Sequence, residues 1–237
     1  MMKVEELHFI NNRGRSLSGR LYRADAGGDT LVIFSHGLFS NKDGYKITRL
    51  APDLAAAGTG ILAFDFSFAT GSGGDIADLS VMQEVDDLAA AVDFAKSRGY
   101  TDIHLMGSSM GAAVTLLFAA LGDESVRSLI LIATPVDLRT LLLSGAGITD
   151  ADLLPDDGMT AIDGIPIRNA FFREIGRIDM AEAVRKIRVP VLAFHGGQDS
   201  VVDPENAWTD CMIPDRVRKV PKIISRKVIR MSTRLVG

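Results

Sequence analysis

Five residues near the middle of the chain, Gly107-Ser108-Ser109-Met110-Gly111, constrain the fold more than any other stretch. They join an apolar run, Ile103-His104-Leu105-Met106, to a second one, Ala112-Ala113-Val114-Thr115-Leu116-Leu117-Phe118. The first reads as a buried strand and the second as a buried helix. Passing from strand to helix in so few residues requires an abrupt turn. Glycine at both ends permits that turn and lets the helix approach the strand closely. Ser109 is then held at the tip, with its hydroxyl exposed above the sheet. A bare G-x-S-x-G is common, but between a strand and a helix it is specific.

The rest of the chain supplies the matching alternation. Residues 4–10 and 17–23 read as strands around the polar turn Asn11-Asn12-Arg13-Gly14, a hairpin. Leu31-Val32-Ile33-Phe34 is a continuous apolar run, as expected for a strand buried on both faces. Residues 45–57 predict a helix stopped by Gly58, and 61–64 the next buried strand, ending at Asp65. Val81, Val85, Leu88, Val92 and Ala95 form one stripe of a helix over 81–97. Runs at 103–106, 112–121 and 126–133 continue the rhythm, followed by a helix at 179–187, a strand at 189–194 and a helix at 204–212. This pattern predicts an α/β fold with a mostly parallel sheet and helices on both faces. Residues 134–178 break the rhythm. They hold Leu141-Leu142-Leu143 and scattered glycines and prolines, with no clear strand. So long an interval predicts a cap inserted into a single domain spanning 1–237.

A length of 237 residues with 47% hydrophobic content can bury one full core. Net charge is -4, with both signs mixed over most of the length, so there is no global electrostatic case for nucleic acid. The opening Met1-Met2-Lys3-Val4-Glu5-Glu6 lacks a signal-peptide core, and no apolar run is long enough to span a bilayer. The single cysteine, Cys211, excludes an internal disulfide and fits a reducing compartment. The expectation is a cytoplasmic protein without nucleic-acid or membrane partners. Its oligomeric state is not readable. From Asp215 to Gly237 there are eight Lys/Arg and one acid, a net +7 that leaves -11 elsewhere. Ile224, Val228, Met231 and Leu235 fall at helical spacing there, consistent with a last helix packed on the body or, as the alternative, a membrane-surface or partner-binding helix.

Four segments carry the chemistry. His36-Gly37-Leu38 follows the first buried strand. Phe64-Asp65-Phe66 leads into Gly71-Ser72-Gly73-Gly74. The third is Gly107 to Gly111. The fourth is His195-Gly196-Gly197-Gln198-Asp199-Ser200-Val201-Val202. In that order they resemble the α/β-hydrolases of the esterase, cinnamoyl-esterase and serine-aminopeptidase-like group, over roughly residues 5–215. The resemblance implies the α/β-hydrolase fold, a small-molecule ester substrate and no cofactor.

Ser109 is the candidate nucleophile, and the Met110 N–H and Leu38 N–H are the candidate oxyanion-hole donors. Asp199 is the candidate acid, with Asp203 as fallback. The plainer alternatives are that Ser109 marks only a tight turn and that Asp199 only caps a turn or helix. Ser108 should point away from the pocket, and His36 should shape its own turn. The glycine-rich Gly71-Ser72-Gly73-Gly74-Asp75 fits neither G-x-G-x-x-G nor a P-loop, and no metal-ligand spacing is present. Trp208 reads as a packing residue.

The base is the gap. The family places its histidine after the last strand, which reads here as 216–224, but Ser225-Arg226-Lys227-Val228 follows. The four histidines are His8, His36, His104 and His195, and none has a sequence reason to reach Ser109. The leading expectation is feeble hydrolysis through a Ser109 acyl-enzyme. The alternatives are a catalytically inactive binding module, or a frameshifted C-terminus that would explain both the basic tail and the absent histidine.

Overall fold

The computed structural model describes residues 3–24, 27–69, 71–203 and 217–219. The expected helix at 204–212, most of the expected last strand, Trp208, Cys211 and the basic tail from 220 onward lie outside the described residues. An eight-stranded sheet organises the rest. Its strands are β1 (Lys3–Ile10), β2 (Ser16–Arg23), β3 (Thr30–Ser35), β4 (Gly60–Phe64), β5 (Asp102–Ser108), β6 (Val126–Ile132), β9 (Val191–Phe194) and β10 (Val217–Lys219), in the order β1-β2-β4-β3-β5-β6-β9-β10. β1 and β2 form the antiparallel hairpin and β2 meets β4 antiparallel; every later pairing is parallel.

Period-two alternation decides what each strand touches. Leu31, Ile33, Leu62, Phe64, Ile103 and Leu105 face one apolar cluster, shared with α2 (Val81–Ser97) and α3 (Met110–Ala119). Val32, Phe34, Ile61, Ala63 and Met106 face the other, with Ile47 and Ala51 of α1 (Tyr45–Ala56). Both faces are therefore covered, which is why these strands read as unbroken apolar runs. The α2 stripe predicted from sequence is buried throughout. Among the described residues no helix is long and apolar enough to cross a membrane.

Residues 134–178 are more ordered than the sequence reading allowed. They contain α4 (Leu138–Gly145), a hairpin of β7 (Met159–Ile162) and β8 (Ile165–Arg168), and α5 (Asn169–Arg177). The expectation of no strand there is corrected by its turn. Asp163 and Gly164 both have positive φ, 50° and 80°, and Asp-Gly at such a two-residue turn is a strong hairpin signal. Phe171 and Phe172 are fully buried, ring edge to face at 5.3 Å, and join the main core with Leu138, Leu143, Ile167 and Ile175. They pack this segment onto the body. α6 (Met180–Lys186), capped by Asp179 through the Glu182 N–H, then leads to β9.

Candidate active site

The candidate site residues lie at the carboxyl ends of β3, β5 and β9, where open α/β sheets bind ligands. Register aligns Ser35 with Gly107, and Ser108 with Ile132 and in turn Phe194. The next residue on each strand, Gly37 by way of His36, Ser109, Ala133 and His195, lies along the rim of the sheet.

Ser109 sits on the turn in a backbone conformation rare for a residue with a side chain, φ 53° and ψ -123°. Such strain persists only where the surroundings over-determine it. Its N–H donates to the Ile132 carbonyl at 2.8 Å, and α3 starts at the next residue. The motif's glycines are required by close approach. A β-carbon at Gly107 would stand 2.5 Å from Ala112 Cα and 2.7 Å from its nitrogen. One at Gly111 would overlap the carbonyl oxygens of Ser35 and His36. Gly111 thus lets α3 dock directly on the end of β3, so the His36 turn and the Ser109 turn are pressed together. Ser109 is partly exposed, whereas Ser108 is buried with a hydroxyl that has no partner among the described residues.

The second turn is closed by the Ser40 N–H donating to the Gly37 carbonyl at 3.0 Å, with Phe39 at φ 56°. Leu38 occupies its second position, and among the described residues its N–H has no acceptor. The Met110 N–H, first in α3, is likewise without one, as helix geometry requires. Two buried groups brace this turn. His36 donates from Nδ1 to the Gly37 carbonyl at 2.9 Å and accepts the Phe66 N–H at Nε2 at 3.3 Å. Burial pushes its pKa down to about 4, so the ring is neutral and both nitrogens are committed. Asp65 accepts the Lys42 N–H at 2.6 Å and faces Lys42 Nζ at 3.4 Å. Its burial raises its pKa while Lys42 opposes the rise. The sequence marked Asp65 only as part of a loop; nothing local showed that it tethers the turn beyond Leu38.

Asp199 lies on the rim loop after β9. Its Oδ1 accepts the Val201 and Val202 N–H groups at 2.9 and 3.0 Å, and Oδ2 stands 3.7 Å from His195 Nε2. His195 donates from Nε2 to the Val202 carbonyl at 2.9 Å, closing the same loop. The carboxylate therefore holds its own turn through Oδ1, with Oδ2 facing His195. Asp203, the fallback, follows this turn.

No described histidine reaches the Ser109 hydroxyl in a usable way. His195 is two strands from Ser109, about 10 Å in the sheet plane, and is committed to Val202. His104 bonds Ser128 Oγ at 2.7 Å, five residues and about 16 Å down the strand. His8 is exposed on the edge strand β1. Among the described residues no group of three or more His, Cys, Asp or Glu could hold a metal.

Residues 32–228 match the model of the alpha/beta hydrolase family. This chain is an α/β-hydrolase. Among solved structures it resembles Est1E from Butyrivibrio proteoclasticus with ferulic acid bound, at 25% identity and a TM-score of 0.77, covering 85% of this chain and 82% of that one. An esterase domain from a Rhodothermus marinus protein is 27% identical, with a TM-score of 0.67 and coverage of 93% and 86%. A Pyrococcus furiosus esterase shares the fold at 22% identity and a TM-score of 0.70, covering 91% and 81%. Among curated proteins none matches. The α/β-hydrolase thus has esterase-like structural relatives.

Proposed function

We propose that this α/β-hydrolase cleaves small carboxylic esters through an acyl-enzyme on Ser109, slowly, because it lacks a triad histidine. The observation that carries the reading is the strained Ser109 backbone, held beside two N–H groups that have no acceptor among the described residues. Ser109 Oγ attacks the ester carbonyl carbon. The carbonyl oxygen gains negative charge between the Leu38 and Met110 N–H groups, the C–O bond to the alcohol breaks, and the Ser109 hydroxyl proton passes through solvent water to the departing alkoxide. Water then attacks the acyl-serine and returns the acid. Donors fixed before reaction are worth several kcal/mol where charge develops, on the order of 3 kcal/mol for one oxyanion-hole hydrogen bond. Asp199 supplies a carboxylate at the same rim.

Residues 134–178 form a cap over the rim in this reading, setting which acyl groups enter. The ferulic acid held by Est1E makes hydroxycinnamoyl esters a useful first panel beside short acyl esters. A second reading, an inactive binding module, is favoured by one observation: His36, His104 and His195 all spend ring nitrogens on partners elsewhere. Peptide mapping after a fluorophosphonate probe separates the two. Ester hydrolysis predicts a single label on Ser109 that Ser109→Ala removes. A label on Ser108 or another serine overturns the assignment.

A further inference from the structure

The segment after β6 is fastened to the body by one carboxylate. Glu174 on α5 accepts hydrogen bonds from the Val81 N–H at 2.8 Å, the Met82 N–H at 3.2 Å and the Ser80 hydroxyl at 2.8 Å. Ser80 Oγ in turn accepts the Gln83 N–H at 3.1 Å. Donors that the first turn of α2 would leave unsatisfied are thus met, two of them by a residue more than 90 positions along the chain. Negative charge at this helix end is also favoured by the dipole. Nearby, Arg168 of β8 pairs with Asp78 at 2.6 Å.

In the same first turn lies a second carboxyl group, one of whose oxygens is unpaired among the described residues. Glu84, in the same first turn of α2, is buried, and its Oε2 has no partner among the described residues. Burial, followed by the neighbouring charges of Asp87 and Glu174, raises its pKa well above the ordinary value. Asp87 is satisfied by Asn11, by Ser67 through N–H and hydroxyl, and by Gln83. Other charged groups around α2 are engaged or exposed. Arg13 pairs with Asp86, Arg15 lies over the Phe68 ring, and Arg173 turns to the Leu154 carbonyl and Asp156. Arg177 is exposed, and Lys3, Glu5, Glu6 and His8 of β1 are not buried. β3 and α3 bring no ionisable residue to α2.

We propose that Glu84 and Glu174 form a pH-dependent latch, closed while Glu84 is protonated and loosened when it ionises. Ionised Glu84 would repel the Glu174 carboxylate and compete with it for the positive end of α2. A carboxyl group whose folded pKa is raised keeps its stabilising proton at low pH. That stabilisation is lost as pH climbs through the folded value. The latch therefore weakens toward alkaline pH, and α5 with the residues joined to it docks less firmly. This goes beyond the ester-cleaving reading and does not depend on it.

Hydrogen exchange of the full chain, corrected for intrinsic rates and followed in steps from acid to alkaline pH, tests this. As Glu84 ionises, the α5 amides should lose about tenfold more protection than those of α3. In Glu84→Gln the α5 protection should stay level across the range. Glu174→Gln should give lower protection at the acid end of the series and a flatter response. Constant α5 protection in the unaltered chain, or a wild-type fall in Glu84→Gln, overturns the latch. Should Glu84→Gln fail to fold, an unchanged pH response in Glu174→Gln overturns it equally. No turnover enters the readout, so failure of the Ser109 reading would be seen separately.

Discussion

Gly37 lies against Ser109 so closely that a β-carbon at residue 37 would stand 3.3 Å from Ser109 Cβ and 3.2 Å from the Ser108 carbonyl oxygen. The two turns of the candidate site are thus in direct contact, and the spacing between Leu38 and Met110 depends on it. Gly37→Ala should force a small separation of the turns, destabilising by about 1–3 kcal/mol, the usual range for overpacking. Acylation of Ser109 should fall more steeply than stability does. Gly111→Ala, which drives a methyl group into the Ser35 and His36 carbonyls, should be the worse of the two. Urea unfolding beside probe-labelling rates checks both, and equal stability of Gly111→Ala and the parent would contradict the packing.

Ser108 and Ser109 should behave as opposites. Ser108→Ala removes a buried hydroxyl that has no partner among the described residues, so stability should move by less than about 1 kcal/mol and labelling should persist. Ser109→Ala should abolish labelling while the fold remains. Loss of labelling in Ser108→Ala with the fold intact would reverse the two assignments.

His36 should remain neutral far below the usual imidazole range. Its folded pKa of about 4 lies below the unfolded value of about 6.5, so the unfolded chain binds a proton first as pH falls. Its contribution to stability is complete above about pH 6.5 and drains away toward pH 4, by at most about 3 kcal/mol. Imidazole resonances followed by NMR should show His36 titrating near pH 4. A midpoint near 6.5 would mean that its contacts with Gly37 and Phe66 are not maintained.

Much of this architecture was legible because both sheet faces are covered. Runs such as Leu31-Val32-Ile33-Phe34 can then be nothing but buried strands, and the α2 stripe reads directly as a helix face. The Ser109 turn was legible for a different reason: Gly107 and Gly111 are dictated by backbone approach rather than by packing taste. The β7–β8 hairpin was missed because its strands are only four residues each, too short for alternation to stand out, although Asp163-Gly164 announced the turn. Glu174 could not have been found. Its partners lie more than 90 positions away, and a glutamate on a helix ordinarily reads as a solvated face.

Exogenous imidazole should partly replace the absent base. In the unaltered chain, without imidazole, deacylation has no internal proton acceptor and should be the slow step. Millimolar imidazole should accelerate that phase after the background measured with Ser109→Ala is subtracted. Indifference to imidazole, together with rapid steady turnover of an unactivated ester, would show that another group already serves Ser109.

The most direct measurement is mass spectrometry of the intact chain, quenched seconds after mixing with an activated acyl ester and mapped to peptides. The predicted result is a burst of released alcohol near one equivalent, with the acyl group on Ser109 and its loss much slower than its formation. Serine-hydrolase sites stripped of triad members keep about 10³–10⁴-fold acceleration over water from oxyanion donors and binding, enough for this trace. Identical ester consumption by the parent and Ser109→Ala, with no acyl group on Ser109 at any time, would contradict the account.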